Sequence, residues 1–364
     1  MKNVMTKTDL KGLDAGEMEA WAEDHGLKAY RGRQVRRWLF GRLADSFDEM
    51  TNLPKSLRSF LKENFNLRSL EMVKTLVSVD GSRKYLFRLP EGYLIESVLI
   101  PERDHFTICI SSQAGCAMGC RFCLTAINGL KRNLTPSEII EQVIFVKRAM
   151  ANPDRLTNIV LMGMGEPLAN YNAIIKAVKN IVSADGLNFS HRKVTLSTCG
   201  LVPEIKKMGR DITINLAVSL NAADDKTRDF LMPVNKRYPL KSLISACSEF
   251  TLPKRGRITF EYILIKGIND SDNDALKLVT LLSGLRAKIN LIPLNPHPAS
   301  DMSPPSTERI IHFQEILLNN NFTVIIRKSK GRDILAACGQ LSGNYEGLFD
   351  SDVDSGGVPP DSSG

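Results

Sequence analysis

Residues 106–123 read FTICISSQAGCAMGCRFC, an apolar run followed by a loop that holds three of the chain's seven cysteines. The run FTICIS is typical of a buried strand. Cys116, Cys120 and Cys123 follow it at spacings of four and three residues, with a glycine directly before each of the first two. Glycine is a poor helix residue, so it favours a loop that can fold three thiols around one centre. This stretch predicts a strand whose carboxyl end carries a metal-binding loop.

Three interpretations of this cysteine triad are compatible with the residues. An iron–sulfur cluster takes thiolate ligands, and a set of three leaves one iron open to a substrate or cofactor. A structural zinc site needs four protein ligands, and no second Cys or His pair lies near the triad in the sequence. Cysteines at positions i, i+4 and i+7 can also share the buried face of a helix as small apolar residues. The glycines and the missing fourth ligand favour the cluster.

Seven short apolar runs alternate with amphipathic segments from residue 106 onward. The runs are FTICIS, NIVLMG, KVTLST, ITINLAVSL, RITFEYILI, KINLIP and FTVIIR. Strands that read as continuous apolar runs, each followed by a helix, are typical of a parallel sheet covered by helices. The pattern predicts an α/β fold with a partial β/α barrel over residues 89–343. An open doubly wound sheet is the alternative, because it shows the same alternation.

The first 88 residues differ in character and predict a small accessory domain at 1–88. Residues 1–68 read as helical, with Asp14 and Pro54 at helix starts, and strand-like runs follow up to residue 100. Six basic residues and no acidic one lie in KAYRGRQVRRWLFGR, residues 28–42, interleaved with aromatic residues. This composition suits a helix that contacts RNA, and it also suits a solvated amphipathic helix that packs its apolar side inward.

The composition excludes several classes of protein. The 364 residues are 43% hydrophobic and 24% charged, as in a globular protein with a sizeable core, and the formal net charge of +8 suits a polyanionic partner. No apolar run is long enough for a membrane helix, and MKNVMTKTDLKGLDAGE lacks the apolar segment of a secretion signal. We expect a cytoplasmic protein with no membrane partner, and a disordered acidic tail at residues 344–364.

Polar residues and glycines follow several of the predicted strands. In a barrel of this type the carboxyl ends of the strands form one rim, where ligands bind. The residues at these positions are Gly163, Gly165, Glu166, Ser197, Thr198, Ser219, Leu220, Asn221 and Asn295, with Cys338 in the loop beyond the last strand. With the cysteine loop they predict a ligand site on the rim. Cys199 and Cys247 are interpreted as core residues, since a buried cysteine packs as a small apolar side chain.

Four segments together resemble the RlmN/Cfr family of radical S-adenosylmethionine (SAM) RNA methyltransferases. They are FTICISSQAGCAMGCRFC, MGMGEPL, VNKRYPL and GRDILAACGQL, within residues 90–342. The resemblance implies a partial β/α barrel of the radical SAM type and a [4Fe–4S] cluster on Cys116, Cys120 and Cys123, with SAM on the open iron. It also implies an N-terminal helical domain that binds RNA, which the basic stretch 28–42 matches. SAM contacts then fall on Gly165, Glu166, Ser197, Ser219, Leu220, Asn221 and Asn295.

The resemblance further implies a mechanism that uses two more cysteines. Carbons 2 and 8 of adenine are electron-poor and cannot attack the methyl group of SAM. In the family's route Cys338 takes a methyl group from one SAM, and a second SAM yields the radical that activates this group for addition to the base. Glu96, in GYLIESVLIP, removes the ring proton, and Cys109 attacks the Cys338 sulfur, which releases methyladenine and leaves a transient disulfide. From sequence alone Glu96 is an ordinary solvent-facing strand residue.

Within the family the RlmN branch methylates carbon 2 of adenine and the Cfr branch carbon 8. MGMGEPL, LIPLNPHP and FEYILIKGIND are more similar to the RlmN branch. This likeness implies an adenosine in the peptidyl transferase centre of 23S rRNA, before full ribosome assembly, and the adenosine 3′ of the anticodon in some tRNAs. It also implies a monomer and an electron donor such as flavodoxin or ferredoxin. Asn221 stands where the family usually has His, and its different reach leaves that SAM contact open.

Two rival functions remain at this point. A non-catalytic iron–sulfur protein, acting in redox sensing or RNA binding, would need the cysteine loop but neither Cys338 nor Glu96. A radical SAM enzyme with another substrate, such as an activase, would not need the basic stretch 28–42.

Overall fold

The apolar runs of the sequence form one ten-stranded sheet. A computed structural model describes residues 8–253 and 256–343, so the predicted tail at 344–364 lies outside the described residues. The strands are β1 (Thr8–Asp9), β2 (Phe65–Asn66), β3 (Glu71–Val77), β4 (Arg83–Arg88), β5 (Leu94–Pro101), β6 (Phe106–Cys109), β7 (Gln113–Gly115), β8 (Leu130–Asn133), β9 (Leu156–Leu161), β10 (Val194–Thr198), β11 (Asn215–Ser219), β12 (Ile258–Leu264), β13 (Ala287–Pro293) and β14 (Thr323–Ile326). β1 pairs with β2 and β7 with β8, outside the large sheet.

Helices follow most of the barrel strands and make up much of the N-terminal region. They are α1 (Ala15–Asp24), α2 (Ala29–Arg36), α3 (Lys55–Asn64), α4 (Leu124–Ile127), α5 (Pro136–Ala149), α6 (Tyr171–Val182), α7 (Val202–Asp211), α8 (Asp225–Leu231), α9 (Leu240–Ser248), α10 (Asp272–Leu282) and α11 (Thr307–Asn319). The predicted start at Asp14 is confirmed by a reciprocal capping box with Glu17. In the described part of the chain, no helix has the length and apolar character needed to cross a membrane.

Seven strands of the large sheet run parallel and are neighbours in the order of the chain. Their order is β6, β9, β10, β11, β12, β13 and β14. A doubly wound sheet reverses its strand order at a switch point, and the described sheet contains no such reversal among these strands. The doubly wound alternative is therefore wrong, and the predicted partial β/α barrel is confirmed.

An antiparallel meander extends the sheet beyond β6. β3 pairs with β4, β4 with β5, and β5 with β6. The predicted domain boundary after residue 88 falls at the end of β4, so the sheet runs across it. The limits 1–88 and 89–343 stay a prediction about folding units.

The basic stretch 28–42 forms α2 and a π-helical turn at Arg37–Gly41, and only part of it is surface. Arg36 is 3% exposed, and its guanidinium donates at 2.9 Å both to Asp185, after α6, and to Asn180 within it. The basic residues of the stretch that stay exposed are Lys28, Arg33, Arg37 and Arg42. The stretch therefore anchors the N-terminal region on the barrel and also presents cations to solvent.

Side chains of the barrel strands alternate between the outer helices and the interior. On β12, Phe260 and Tyr262 are fully buried, and the Tyr262 ring centroid lies 5.5 Å from that of Phe313 in α11. Because successive residues of a strand point to opposite faces, Glu261 between them points to the interior. Thr259, on the same face as Glu261, is only half-buried. The interior face thus lines a space that solvent reaches.

Candidate active site

The cysteine loop follows β7 and is closed by a close backbone contact. Gly115 has a φ of +75°, and a Cβ added to it would lie 1.8 Å from the backbone oxygen of Gly129. Only glycine fits this position without moving the chain. The Cys116 N–H donates to the same oxygen at 3.1 Å, and the Cys123 N–H donates to the Cys120 oxygen at 3.1 Å. The conformation of the loop therefore depends on Gly115, the first of the two glycines that predicted a loop here.

The three thiols of the predicted triad lie close enough to affect one another's charge. Burial raises the pKa of Cys116 to about 12, with a contribution from the Cys123 thiol. Burial also raises the pKa of Cys120, and the two other thiols of the triad raise it further. Burial raises the pKa of Cys123 as well. Such thiols ionise only beside strong positive charge, which bound iron would supply.

Three thiols in one loop are ligands that suit an iron–sulfur cluster. Among the described residues, no three His, Cys, Asp or Glu side chains are placed to hold one metal ion. In a cluster each thiolate binds a separate iron, so the sulfurs need not converge on one point. A small apolar cluster covers the loop; it consists of Phe122, Cys199, Leu231, Met232, Ile265 and Leu294, with Met118, Cys120 and Cys123 packed against it. Apolar cover of this kind limits the access of water to a metal centre.

Glu166 is a buried carboxylate held by backbone groups beside the cysteine loop. One oxygen accepts the N–H of Leu168 at 3.0 Å and the other the N–H of Cys199 at 2.8 Å. Its own N–H donates to Gln113 Oε1 at 2.8 Å. Gly165 before it has a φ of +97°, and an added Cβ would lie 2.5 Å from the Gln113 side chain. Burial raises the pKa of Glu166, although these hydrogen bonds oppose the shift.

The ends of β10 and β11 are tied together next to this carboxylate. The Ser197 and Ser219 hydroxyl oxygens lie 3.4 Å apart. Fully buried Arg228 donates to the Cys199 oxygen, after β10, at 2.7 Å, and to the oxygens of Leu220 at 3.0 Å and Ser219 at 3.3 Å, at the end of β11. It also donates to Asn235 Oδ1 at 2.9 Å. No motif of the sequence pointed to Arg228, although its partner Asn235 lies in the VNKRYPL segment that carried part of the resemblance.

The Asn221 side chain is engaged within the protein. Its φ of +57° is one that asparagine tolerates better than most residues. Its Oδ1 accepts the N–H of Ile263 at 2.8 Å, and its Nδ2 lies 3.2 Å from the Met232 sulfur. The amide therefore fixes the turn after β11, and the predicted contact of this residue with SAM stays a prediction.

The Cys338 loop lies directly on the cysteine loop. The Leu124 N–H donates to the Gly339 oxygen at 2.8 Å, and Asn295 Nδ2 donates to the Cys338 oxygen at 3.1 Å. The Cys338 side chain is exposed, yet the surrounding protein raises the pKa of its thiol to about 11, chiefly by desolvation and next by the Glu261 carboxylate. The structure thus brings Cys338 and Asn295 together at the rim beside the triad.

Cys109 and Glu96 share the interior face of the meander. Cys109 lies opposite Val98 in β5, and Val98 lies opposite Lys84 in β4. Directly opposite residues of antiparallel strands point to the same face, and so does Glu96, two residues before Val98. The other face of β4 packs against α5. Both predicted catalytic residues therefore point into the barrel.

Cys109 is a buried neighbour of Cys338. Burial raises the pKa of the Cys109 thiol, and the nearby Cys338 thiol raises it further. All seven cysteines lie in the described part of the chain and are free thiols, so the predicted disulfide is not formed in this structure. Cys199 and Cys247 are buried, as predicted.

The prediction that Glu96 faces solvent is wrong. Its side chain is 4% exposed, because residues 342–343 lie across this face, with their backbone amides close enough to favour the charge of its carboxylate. Lys84 Nζ lies 3.5 Å from Oε1, whereas Oε2 has no hydrogen-bond partner among the described residues. Burial raises the pKa of Glu96 in spite of the ammonium. A buried carboxylate with one oxygen that makes no hydrogen bond can accept a proton from a substrate.

Glu261 and Asn290 add a polar pair to the interior that sequence analysis missed. They lie opposite each other on β12 and β13, and Asn290 Nδ2 donates to Glu261 Oε1 at 2.9 Å. Asn290 Oδ1 is buried and has no hydrogen bond to any described residue. Each of the two is visible in the sequence as a single polar residue within an apolar run, Glu261 in RITFEYILI and Asn290 in KINLIP. Because side chains alternate along a strand, each points to the face opposite that of its two apolar neighbours.

Comparisons with known proteins agree with this arrangement. A family model described as "Radical SAM superfamily" matches residues 110–279, and one described as "Ribosomal RNA large subunit methyltransferase N-terminal domain" matches residues 8–67. Radical SAM proteins use a [4Fe–4S] cluster and SAM, which are therefore the cofactors of this chain. The cluster-bearing family favours the iron–sulfur interpretation of the triad over zinc and core packing, and the assignment of the cluster to Cys116, Cys120 and Cys123 stays a prediction.

Relatives cover nearly the whole chain. The dual-specificity RNA methyltransferase RlmN of Desulfosudis oleivorans is 51% identical over 351 residues, 95% of either chain, and that of Geobacter sulfurreducens is 51% identical over 343 residues, 94% of either chain. A crystal structure of a radical SAM methyltransferase from Sphaerobacter thermophilus superposes with a TM-score of 0.89 at 44% identity, covering 93% of this chain and all of that one. The chain therefore belongs to the RlmN family of radical SAM RNA methyltransferases and is an enzyme that transfers methyl groups.

Proposed function

We propose that this enzyme methylates carbon 2 of a specific adenosine in the peptidyl transferase centre of 23S rRNA, before full ribosome assembly. The adenosine 3′ of the anticodon in some tRNAs is its second proposed substrate. The observation that carries this proposal is the meeting of Cys338, Cys109 and Glu96 at one side of the barrel, beside the triad. The dual-specificity names of the relatives support two classes of RNA substrate.

In the proposed reaction Cys338 carries the transferred carbon. As a thiolate its sulfur attacks the methyl group of SAM, so that a carbon–sulfur bond forms on Cys338, the sulfonium bond breaks and S-adenosylhomocysteine leaves. Because its pKa is about 11, the thiol must first lose a proton, and the positive sulfonium of SAM would favour that loss. Cys116, Cys120 and Cys123 would hold the cluster, which when bound would supply the electron for reductive cleavage of a second SAM. The radical formed from this SAM would take one hydrogen atom from the methyl group on the Cys338 sulfur and leave a methylene group there.

Glu96 and Cys109 complete the proposed reaction. The open Oε2 atom of Glu96 accepts the proton that the ring carbon loses once the bond from the Cys338 methylene group has formed. Cys109 then attacks the Cys338 sulfur: the sulfur–sulfur bond forms, the bond from that sulfur to the transferred carbon breaks, and this carbon takes a proton to complete the methyl group. The surplus electron of the radical adduct would return to the bound cluster, and an external thiol reductant would restore both cysteines. The neighbourhood of the two thiols supports this step.

The SAM site is proposed on the rim, on residues that share a position at or after the strand ends. They are Gly165, Glu166, Ser197, Ser219, Leu220, Asn221 and Asn295. Their closeness to both loops supports this set, since Glu166 contacts the residue after β10 and Asn295 contacts the Cys338 backbone.

Mass spectrometry of nucleosides tests the proposal. Reconstituted, anaerobic enzyme with SAM, a reductant and a 23S rRNA fragment should yield 2-methyladenosine, Cys338→Ala should yield none, and Cys247→Ala should retain the product because Cys247 is a core residue outside the site. Formation of 8-methyladenosine would contradict the carbon assignment in favour of Cfr-like methylation. SAM consumption without any methyladenine would contradict the methyltransferase mechanism.

We also propose the setting in which the enzyme works. Its RNA substrates place it in the cytoplasm, as a monomer that receives electrons from a donor such as flavodoxin or ferredoxin. Residues 1–88 form the accessory RNA-binding domain and residues 89–343 the radical SAM core. The match of residues 8–67 to a ribosomal RNA methyltransferase N-terminal model supports this division.

A further inference from the structure

The cysteine loop has two flanks with different neighbours. Its later part contacts the Cys338 loop, through the hydrogen bond from Leu124 to Gly339 at 2.8 Å. Its earlier part contacts the end of α8 and the segment that follows it. The Arg121 N–H donates to the Leu231 oxygen at 3.0 Å, and a Cβ added to Gly119 would lie 3.6 Å from the Pro233 side chain. In the proposed function SAM and the RNA base lie on the first flank, beside Cys338, so the second flank is the one open to another partner.

The surface of this second flank, which we call the outer flank, is basic and partly apolar. It consists of Arg121, Phe230, Pro233, Lys236 and Arg237, all of them exposed. The Arg121 guanidinium lies 4.3 Å from the centre of the Phe230 ring, which is 42% exposed. Within the described residues, none of its three cations has a carboxylate at salt-bridge distance. Arginine and exposed aromatic rings are enriched where proteins bind one another.

Little protein separates the outer flank from the cluster site. Cys120 lies between Gly119 and Arg121 and is only half-buried, and it packs on the same small apolar cluster as Leu231 and Met232. A protein seated on this surface would therefore stand one loop thickness from the sulfurs. The radical chemistry of the proposed function needs a low-potential electron delivered to the cluster from outside it.

We propose that the outer flank docks a small acidic one-electron carrier protein, of the flavodoxin kind, and receives the electron for the cluster there. The proposal rests on the radical chemistry of the proposed function. The carrier is oxidised by one electron and the cluster is reduced by one, and no bond forms or breaks in the transfer. Opposite charge speeds such encounters, and interfaces of electron-transfer partners are small and transient. The exposed Phe230 and Pro233 favour a protein over RNA as the occupant.

Charge reversal separates this proposal from its alternatives. The variant Phe230→Ala/Arg237→Glu, which leaves the cysteine loop unchanged, should reduce the rate of cluster reduction by reduced flavodoxin about tenfold or more at low salt. The variant Lys236→Glu/Arg237→Glu, which leaves the Arg121–Phe230 contact intact, should also lower the rate of cluster reduction by flavodoxin. The matched control is Arg192→Glu/Lys193→Glu, at the amino end of β10 and so at the opposite end of the barrel, and it should keep the wild-type rate.

The measurements are stopped-flow absorbance of the cluster and titration of flavodoxin binding, with RNA affinity measured in parallel. Dithionite is small and needs no docking surface, so reduction by dithionite should be equal in all variants. Equal flavodoxin rates in the reversed and control variants would overturn the proposal, and so would a loss of RNA affinity without a loss of flavodoxin binding. Methylation driven by dithionite tests the proposed function separately, because it does not depend on the outer flank.

Discussion

Burial sets the proton affinity of the three residues that are proposed to react. It raises the pKa of Glu96, and together with the nearby Cys338 thiol it raises that of Cys109, whereas desolvation by the surrounding protein and the Glu261 carboxylate raise that of Cys338, whose side chain is exposed. A carboxylate with a raised pKa is the better proton acceptor, whereas a thiol with a raised pKa must be deprotonated before it attacks. The same environment thus favours Glu96 as a proton acceptor and keeps both thiols protonated until substrate binds.

Replacement of Cys109 by alanine should trap the enzyme on its RNA. Without the Cys109 thiol nothing displaces the methylated base from the Cys338 sulfur, so a covalent adduct should accumulate and be seen on a denaturing gel. Cys338→Ala should form no adduct while it retains its iron and sulfide, since Cys338 is not in the triad. Normal product release by Cys109→Ala would remove Cys109 from the mechanism.

The rate of the wild-type enzyme should rise with pH through the raised pKa of Glu96, because the carboxyl group accepts a proton only in its ionised form. Glu96→Gln should lower the single-turnover rate about 100-fold or more and abolish this rise. Lys84→Met should move the rise to higher pH, since it removes the ammonium that opposes the shift. Single-turnover rates across a pH series measure both effects. A Glu96→Gln profile that still rises as in wild type would contradict the assignment.

Strand ends and the loops between them, rather than whole helices, build the site. A backbone hydrogen bond joins the cysteine loop to the Cys338 loop, whereas the side chains of Arg228 and Asn295 hold the end of β11 and the Cys338 backbone. A backbone hydrogen bond does not depend on the side chains at its two positions, except where a side chain would block it. Gly115 is such a position, because the Gly129 oxygen occupies the space of a Cβ.

Gly115→Ala should prevent cluster assembly while the rest of the barrel stays folded. Gly267→Ala is the matched control, since Gly267 has a similar φ of +71° but no atom within 4 Å of an added Cβ. The control should cost only the left-handed conformation, about 1–2 kcal/mol, and keep its cluster. Iron and sulfide content together with far-UV circular dichroism distinguish the two. Full iron content in Gly115→Ala would contradict the role assigned to the contact with Gly129.

At the scale of the whole molecule, buried ion pairs join the N-terminal region to the barrel. Lys11 is 2% exposed, and its ammonium lies 2.8 Å from Asp9 and 2.9 Å from Glu141 of α5. Buried Arg36 makes a second link, to Asp185, whose side chain is 51% exposed. The region that is proposed to bind RNA is thus held against the catalytic barrel by contacts that leave its other cations exposed.

Lys11→Met should destabilise the enzyme by about 3–5 kcal/mol, because it leaves two buried carboxylates without a counter-charge. Lys176→Met is the control: it also breaks one ion pair between the N-terminal region and a barrel helix, that with Glu17, but this pair is solvated and its loss should cost about 1 kcal/mol or less. Urea unfolding followed by circular dichroism measures both. Equal losses in the two variants would show that burial does not set the strength of this link.

Much of the fold could be predicted from local pattern. The seven parallel strands were visible as apolar runs because strands buried on both faces need no polar alternation. The cysteine loop was visible because its thiols are close in the chain. The doubly wound alternative could not be dismissed from the sequence, since strand order depends on contacts between distant segments.

The sequence by itself determined the barrel strands, the cysteine loop and the Cys338 segment, because each depends on spacing or periodicity within a few residues. Only the tertiary structure decided that Glu96 is buried beside Lys84, that Cys109 lies next to Cys338, and that Arg228 binds the ends of two strands. Their partners lie far away in the chain. Alternation along a strand shows which residues share a face. Only the register of the sheet shows which face packs against helices and which lines the interior.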